Sequence, residues 1–322
     1  MPDVLITEHI IGAEMDELRR RFESVFEPEL WREPDRLLAL IPHFRALIAR
    51  NQTRITSKLI EAGARLEVIA RAGVGMDNVD LEAASRAGVV VTYTPEQNSN
   101  SVAELTIGLM LSLARLITAA DNDTKRGGWR RQRFAGIEIL GKTLGVVGLG
   151  RIGSSVAVKA RALGMEILAY DPYVDPESLR VMETRARLTG FDETLALADF
   201  VTLHVPETEE TRGMFGAEQF CRMKTGAYFI NTSRGGVVDE DALLTALREK
   251  HLAGAALDVR RQEPAVPGAF DEMDNVILLP HIGAQTEEAQ RRVLAAVCRD
   301  VTAILTGAEA RNFANFSRPT RQ

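Results

Sequence analysis

The sequence predicts an α/β protein of two doubly wound parallel-sheet domains. Three observations carry that reading. Short β-branched runs alternate with helical patterns from end to end, 322 residues suffice for two ordinary cores, and two long helical segments interrupt the alternation. Such alternation argues for parallel sheets covered on both faces.

The strand candidates, in order, are VLI (4–6), ALIA (46–49), LEVIA (66–70), VVVT (89–92), TLGVVG (143–148), MEILAY (165–170), DFVTLH (199–204), AYFINT (227–232), LAGAALDV (252–259) and NVILL (275–279). Helical periodicity fills most gaps between them, as in SSVAVKARAL (154–163) and DEDALLTALREK (239–250). Asp239 is placed to cap a helix start, and Gly88 and Gly164 to end helices. The two interruptions are long helix candidates, Ser99 to Ala120 and Thr286 to Thr306. Residues 1–98 with 286–322 are therefore expected to form one domain and residues 99–285 an inserted second one, joined by the long helices. The tail RNFANFSRPTRQ reads as a loose end or a returning segment.

Composition removes several function classes. The chain is 45% hydrophobic and 26% charged with a formal net charge of −6, and its basic residues are scattered, which argues against a nucleic-acid partner. Cys221 and Cys298 lie far apart and outside any ligand spacing, so neither a disulfide framework nor a zinc site is expected, and no other metal. The start MPDVLITEHI lacks the basic-then-apolar form of a leader, and the apolar stretch Ile107 to Ala120 is interrupted by Arg115 and short for a bilayer. A cytoplasmic protein without membrane attachment is the expectation.

The most informative stretch is LGVVGLGRIGSSVAVKARALGMEILAYDP (144–172). A strand feeds Gly148-Leu149-Gly150-Arg151-Ile152-Gly153, a helix follows, and a second strand ends in Asp171. Glycines there permit a tight turn, close approach of a pyrophosphate and close helix–sheet packing, while the helix start offers free N–H groups to the phosphates. Asp171 can take both hydroxyls of an adenosine ribose and would repel a 2′-phosphate, so NAD is favoured over NADP. With 25 glycines in the chain, roughly 0.15 chance matches to the bare glycine spacing are expected. The surrounding strand, helix and acid make the difference, and they indicate a Rossmann-type dinucleotide site.

Hydride chemistry next to such a site needs a proton-exchanging group and a positive charge to polarise the substrate. His281, in VILLPHIGAQ (276–285), suits the first role. Glu263, in RRQEP (260–264), can steady its imidazolium, and Arg234, in INTSRGGVVDE (230–240), suits the second role. All three follow expected strand ends, where ligands of doubly wound sheets collect. Taken singly, each has a plain alternative: a packed histidine, a solvated loop carboxylate, a surface ion-pair arginine.

At this point the chain resembles a known family, the D-isomer-specific 2-hydroxyacid dehydrogenases, over nearly its whole length. The matching motifs are RAGVGMDNVD (71–80), NSNSVAELTIGLMLSLAR (98–115), GKTLGVVGLGRIG (141–153), AYDPY (169–173), INTSRGGVVDEDAL (230–243), GAALDV…EP (254–264) and LLPHIGAQTEEA (278–289). The resemblance implies a flavodoxin-like substrate-binding domain around an inserted NAD domain, with His281 as acid/base, Glu263 as its partner and Arg234 as anchor of the substrate carboxylate and carbonyl. It also implies that Val74 and Gly75 cradle the substrate carboxylate, with Asn98 nearby. By the same match His204, Pro206, Thr211, Thr232, Ser233, Asp258 and Gly283 contact the cofactor, together with Gly148 to Gly153. The implied reaction is hydride transfer between NAD and C2 of a 2-hydroxy acid, with domain closure excluding water.

Within the family the likeness is strongest to phosphoglycerate dehydrogenases. Arg50 and Arg71 match positions facing the phosphate end of the substrate there, and Arg130, Arg131 and Arg133 match a basic stretch able to reach a partner's site in a homodimer. Arginines at one end of the site would suit an anionic group on C3; as structural ion-pair residues they would say nothing of the substrate. Arg260 and Gln262 depart from the family, which usually has an aromatic after Asp-Val and often an acid beside the glutamate. A short form without a C-terminal regulatory domain is expected. A reductase of small 2-oxoacids (glyoxylate, hydroxypyruvate, sulfolactate or D-lactate type) and a non-catalytic NAD-sensing protein stand as alternatives.

Overall fold

The structure, a computed structural model, describes residues 2–320. The chain divides into two compact units, residues 1–98 with 285–322 and residues 99–284. It passes from one to the other at 98/99 and 284/285, just ahead of its two longest helices, Ser99–Arg115 and Glu287–Leu305.

The first unit holds a five-stranded, wholly parallel sheet: β1 (Val4–Ile6), β2 (Ser24–Phe26), β3 (Ala46–Ala49), β4 (Val68–Arg71) and β5 (Val90–Thr92), in the order β2-β1-β3-β4-β5. That is the flavodoxin-like order. Every residue of β1, β3, β4 and β5 is buried, as expected of strands covered on both faces. One face packs on helices Ala13–Arg21 and Glu287–Leu305 through Met15, Leu18, Val293, Leu294, Val297 and Val301. The tail returns to this unit: Ala314 N–H donates to Val91 (2.8 Å) and Thr320 N–H to Gly88 (3.1 Å). Of the tail sequence, Arg321 and Gln322 lie outside the described residues.

The second unit holds seven parallel strands: β6 (Thr143–Val147), β7 (Glu166–Tyr170), β8 (Arg187–Leu188), β9 (Phe200–Leu203), β10 (Ala227–Asn231), β11 (Leu252–Leu257) and β12 (Val276–Leu278), ordered β12-β11-β10-β9-β6-β7-β8. Strand order reverses between β6 and β9, the switch point at which doubly wound sheets bind ligands.

The expected helix Ser99–Ala120 is two helices, Ser99–Arg115 and Ile117–Lys125, bent by 66°. Leu116 stands in the left-handed region (φ 54°), and the carbonyl of Ala114 accepts from Ile137 N–H (2.8 Å) instead of continuing the helix. A returning strand of chain, not a local breaker, ends the first helix. No single helix among the described residues is long and apolar enough to cross a membrane.

Candidate active site

The cofactor end of the second unit begins where β6 stops. Gly148 takes φ 92°, and a Cβ there would lie 2.9 Å from the His204 backbone. A Cβ on Gly153 would strike the Gly148 carbonyl, whereas one on Gly150, which precedes the helix Arg151–Ala162, would meet open space. Two glycines thus permit tight packing and the third keeps a space clear in front of a helix start, as a pyrophosphate requires. Arg151 opens that helix and Ile152 packs against the core beneath it.

Asp171 stands just past β7. Its Oδ2 accepts from Leu149 N–H (2.8 Å) and its Oδ1 from Tyr173 N–H (3.0 Å), which fixes the carboxylate beside the glycine turn. His204 follows β9; its Nε2 meets Thr202 Oγ1 at 3.1 Å while its buried Nδ1 has no partner among the described residues. Burial pushes the His204 imidazole down to about 3, so it is neutral at any ordinary pH. Pro206 and Thr211 close the next loop, Thr211 Oγ1 donating to the Pro206 carbonyl (2.6 Å). The cleared space, the helix start, the ribose-ready carboxylate and the orphaned nitrogen all fit NAD.

The loop after β10 carries Thr232, Ser233 and Arg234. Asn231 organises it: Oδ1 accepts from Ser233 N–H (2.9 Å) and Oγ (2.8 Å), while Nδ2 donates to the Arg234 carbonyl (2.9 Å). Thr232 Oγ1 meets Thr106 Oγ1 at 3.0 Å. Asp258, past β11, is 1% exposed and grips the turn after β12. Its two oxygens accept from Ile282 N–H and Gly283 N–H (both 2.8 Å), and its carbonyl from His281 N–H (2.8 Å). Burial outweighs these N–H groups and raises the Asp258 carboxyl above the ordinary range. The three bonds hold His281 at φ 56°, a conformation costing a non-glycine residue roughly 1–2 kcal/mol.

His281 Nδ1 and Glu263 Oε2 lie 2.7 Å apart, and Glu263 Oε1 accepts from Arg260 N–H (3.1 Å). Burial acts to raise the Glu263 carboxyl, but the His281 bond and charge, the Arg260 N–H and the nearby Arg234 charge prevail and hold it below the ordinary range. The unit thus brings His281, Glu263 and Arg234 to neighbouring loops at the same strand ends. Arg130 pairs with Asp123 and Arg133 with Asp274 (2.6 Å).

In the first unit Arg50 and Arg71 stand side by side at strand ends, Ala49 pairing with Arg71 in register. Arg50 Nη2 donates to Gln290 Oε1 (2.7 Å), and burial lowers its guanidinium from the ordinary value despite the charge of Glu8. The Arg71 guanidinium lies over Gly73, on the loop that continues to Val74 and Gly75. Asn98 keeps a buried Oδ1 with no partner among the described residues.

Sequence reasoning missed three supports: Asn231, the grip of Asp258 on the His281 turn, and Glu8. Glu8 is 2% exposed and accepts from Arg50 N–H (2.7 Å), Gln52 N–H (3.2 Å), Thr53 N–H (3.0 Å) and Thr53 Oγ1 (2.7 Å). A lone acid two residues past an apolar run gave no signal of this. Among the described residues no cluster of His, Cys, Asp or Glu could hold a metal ion.

Comparison with known proteins bears on the same residues. The sequence profile of "D-isomer specific 2-hydroxyacid dehydrogenase, NAD binding domain" matches residues 107–283. A D-3-phosphoglycerate dehydrogenase of Synechocystis is 42% identical over 98% of the chain and 56% of its own length. The chain therefore spans about half of that relative. Among solved structures, protein TT0316 of Thermus thermophilus superposes with a TM-score of 0.90 at 34% identity, covering 97% of this chain and 99% of that one. A D-lactate dehydrogenase of Aquifex aeolicus, solved with NAD and lactic acid, gives 0.84 at 29% identity over 97% and 99%. Fold, cofactor end and matched profile agree: the chain belongs to the D-isomer-specific 2-hydroxyacid dehydrogenase family and carries its NAD-binding domain.

Proposed function

We propose that the protein is an NAD-dependent dehydrogenase of a 2-hydroxy acid bearing an anionic group on C3, with D-3-phosphoglycerate the leading substrate. The observation that carries the reading is the 2.7 Å contact between His281 Nδ1 and Glu263 Oε2, at strand ends beside Arg234. With Nδ1–H donated to Glu263, the other ring nitrogen, Nε2, holds the lone pair that takes the hydroxyl proton. Bound NAD supplies the hydride acceptor for the hydrogen on C2. Arg234 binds the carboxylate and oxygen of the substrate and stabilises charge developing on that oxygen. Glu263 stabilises the imidazolium until the proton leaves, and in the reduction His281 returns it. Gly148 to Gly153 bind the pyrophosphate, Asp171 the adenosine ribose, and His204, Pro206, Thr211, Thr232, Ser233, Asp258 and Gly283 line the remainder of the cofactor site.

Arg50 and Arg71, on adjacent strand ends, supply the positive charge that a C3 phosphate would need, while Val74, Gly75 and Asn98 serve the carboxylate end. A second reading, a reductase of small 2-oxoacids, is favoured by one observation: Arg50 already donates to Gln290. The test is NADH formation from D-3-phosphoglycerate, both 3-sulfolactate enantiomers, D-lactate, D-glycerate and glycolate. Preference for the C3-anionic acids supports the first reading and equal turnover of the small acids the second. A homodimer belongs to the proposal, since Ile117, Trp129 and Leu140 are 53%, 79% and 70% exposed; a monomer mass in sedimentation at all concentrations would remove it. So does a cytoplasmic setting, with both cysteines free.

A further inference from the structure

Arg260 stands three residues past β11, and its side chain does not point to solvent. Its Nε and Nη2 donate to Glu240 Oε1 (3.1 Å) and Oε2 (2.9 Å), and its guanidinium carbon sits 5.1 Å from the centre of the Phe270 ring. Glu240 Oε1 accepts a third bond, from Arg261 N–H (2.7 Å). Glu240 is the first residue of the helix Glu240–Arg248, which follows the Arg234 loop directly. Behind that loop Gly235 leaves no room for a Cβ against the Arg260 carbonyl and the Arg261 nitrogen. The segment carrying Arg234 and the segment carrying Glu263 therefore lie back to back, joined by one carboxylate with three donors. Arg260 N–H completes the path by donating to Glu263 Oε1 (3.1 Å).

We propose that Glu240 and Arg260 are positioning residues that clamp the Glu263 loop to the Arg234 loop and so fix the His281–Glu263 contact. This rests on the dehydrogenase reading for its kinetic test. A half-buried ion pair contributes little net stability, so its effect is expected in geometry, where small misplacements are expensive for catalysis. The Glu240 carboxyl lies below the ordinary range because its bonds to Arg260 and Arg261 outweigh the effect of burial, so the clamp stays charged wherever the site works.

The experiment compares Arg260→Met, Glu240→Ala, their double variant and Arg260→Lys, with kcat, KM for NAD and the pH profile of kcat. Each of the first two is expected to lower kcat about tenfold, equivalent to about 1.4 kcal/mol, with KM for NAD within about twofold. The acid limb should move to higher pH, because a loop released from Glu240 no longer holds the main-chain N–H of residue 260 against the Glu263 carboxylate that it helps hold down. The double variant should be no worse than the worse single one, and Arg260→Lys should recover part of the loss; should the others not fold, Arg260→Lys alone must still shift kcat and the acid limb. Unchanged kcat and pH profile in folded variants, a loss confined to KM for NAD, or additive losses would overturn the clamp. Absence of turnover by the unaltered protein with every 2-hydroxy acid would instead sink the dehydrogenase reading. The clamp is then judged by the ring-nitrogen NMR signals of His281: a changed titration in Glu240→Ala supports it, an unchanged one refutes it.

Discussion

In the seven-stranded sheet the strand leaving the switch point, β6, runs into Gly148-Leu149-Gly150, a turn with no side chain over the helix start. In the five-stranded sheet the corresponding strand is β1, which runs into Thr7-Glu8. There the N–H groups of Arg50, Gln52 and Thr53 converge on the Glu8 carboxylate. In the seven-stranded sheet the glycine turn leaves the space before a helix start clear of side chains. In the five-stranded sheet the corresponding place is filled by the protein's own acid. Glu8 thereby fixes the main chain at Arg50, the residue after β3.

The comparison can be broken most severely at the open site. His281→Ala is expected to lower kcat on the order of 10²–10⁴-fold with the fold retained, as steady-state kinetics and circular dichroism will check. Gly153→Ala, whose Cβ meets the Gly148 carbonyl, should abolish NAD binding in calorimetry. Gly150→Ala, opening into clear space, should weaken it only as far as the cofactor needs that space. At the filled site, Glu8→Ala strands four donors and is expected to destabilise by about 3 kcal/mol, read as a fall in midpoint in urea unfolding. Glu8→Gln should cost less, since an amide oxygen still accepts some of those bonds.

Asp171→Ala should lower activity with NAD about tenfold and narrow the preference over NADP, measured as the ratio of kcat/KM for the two cofactors. Equal use of NADP by the unaltered protein would count against the reading of Asp171. The smallest effect is in pH. Glu240 and Glu263 both sit below the ordinary value of 4.5, so what they contribute to stability is complete above that value and is lost as pH falls through their lower folded-state values. Thermal unfolding of Glu240→Gln should accordingly differ from the unaltered protein at neutral pH and converge on it in acid.

Strand positions and the helix cap at Asp239 were legible because period and capping chemistry are local; Asp239 Oδ1 does accept from Asp241 N–H (3.0 Å) and Ala242 N–H (3.2 Å). The short edge strands β2 and β8 were not, being three and two residues and only partly buried. The break at Leu116 was hidden because its cause is the segment at Ile137, about twenty residues further along. His281, Glu263 and Arg234 could be picked out as candidates by residue type at strand ends. The bonds that set their geometry could not, since Asp258, Asn231 and Glu240 act through backbone groups and through partners distant in sequence.

The helix Glu287–Leu305 covers a sheet whose strands all lie before residue 93. On a ribosome the 186 residues of the second unit emerge between the two, an interval of roughly 10–40 s at ordinary elongation rates. Throughout it Val4, Ile6, Ile48, Val68 and Val90 have no Val293, Val297 or Val301 to pack against. The segment that begins folding first is thus the last to finish, and its apolar face is the one a holdase chaperone would meet during synthesis.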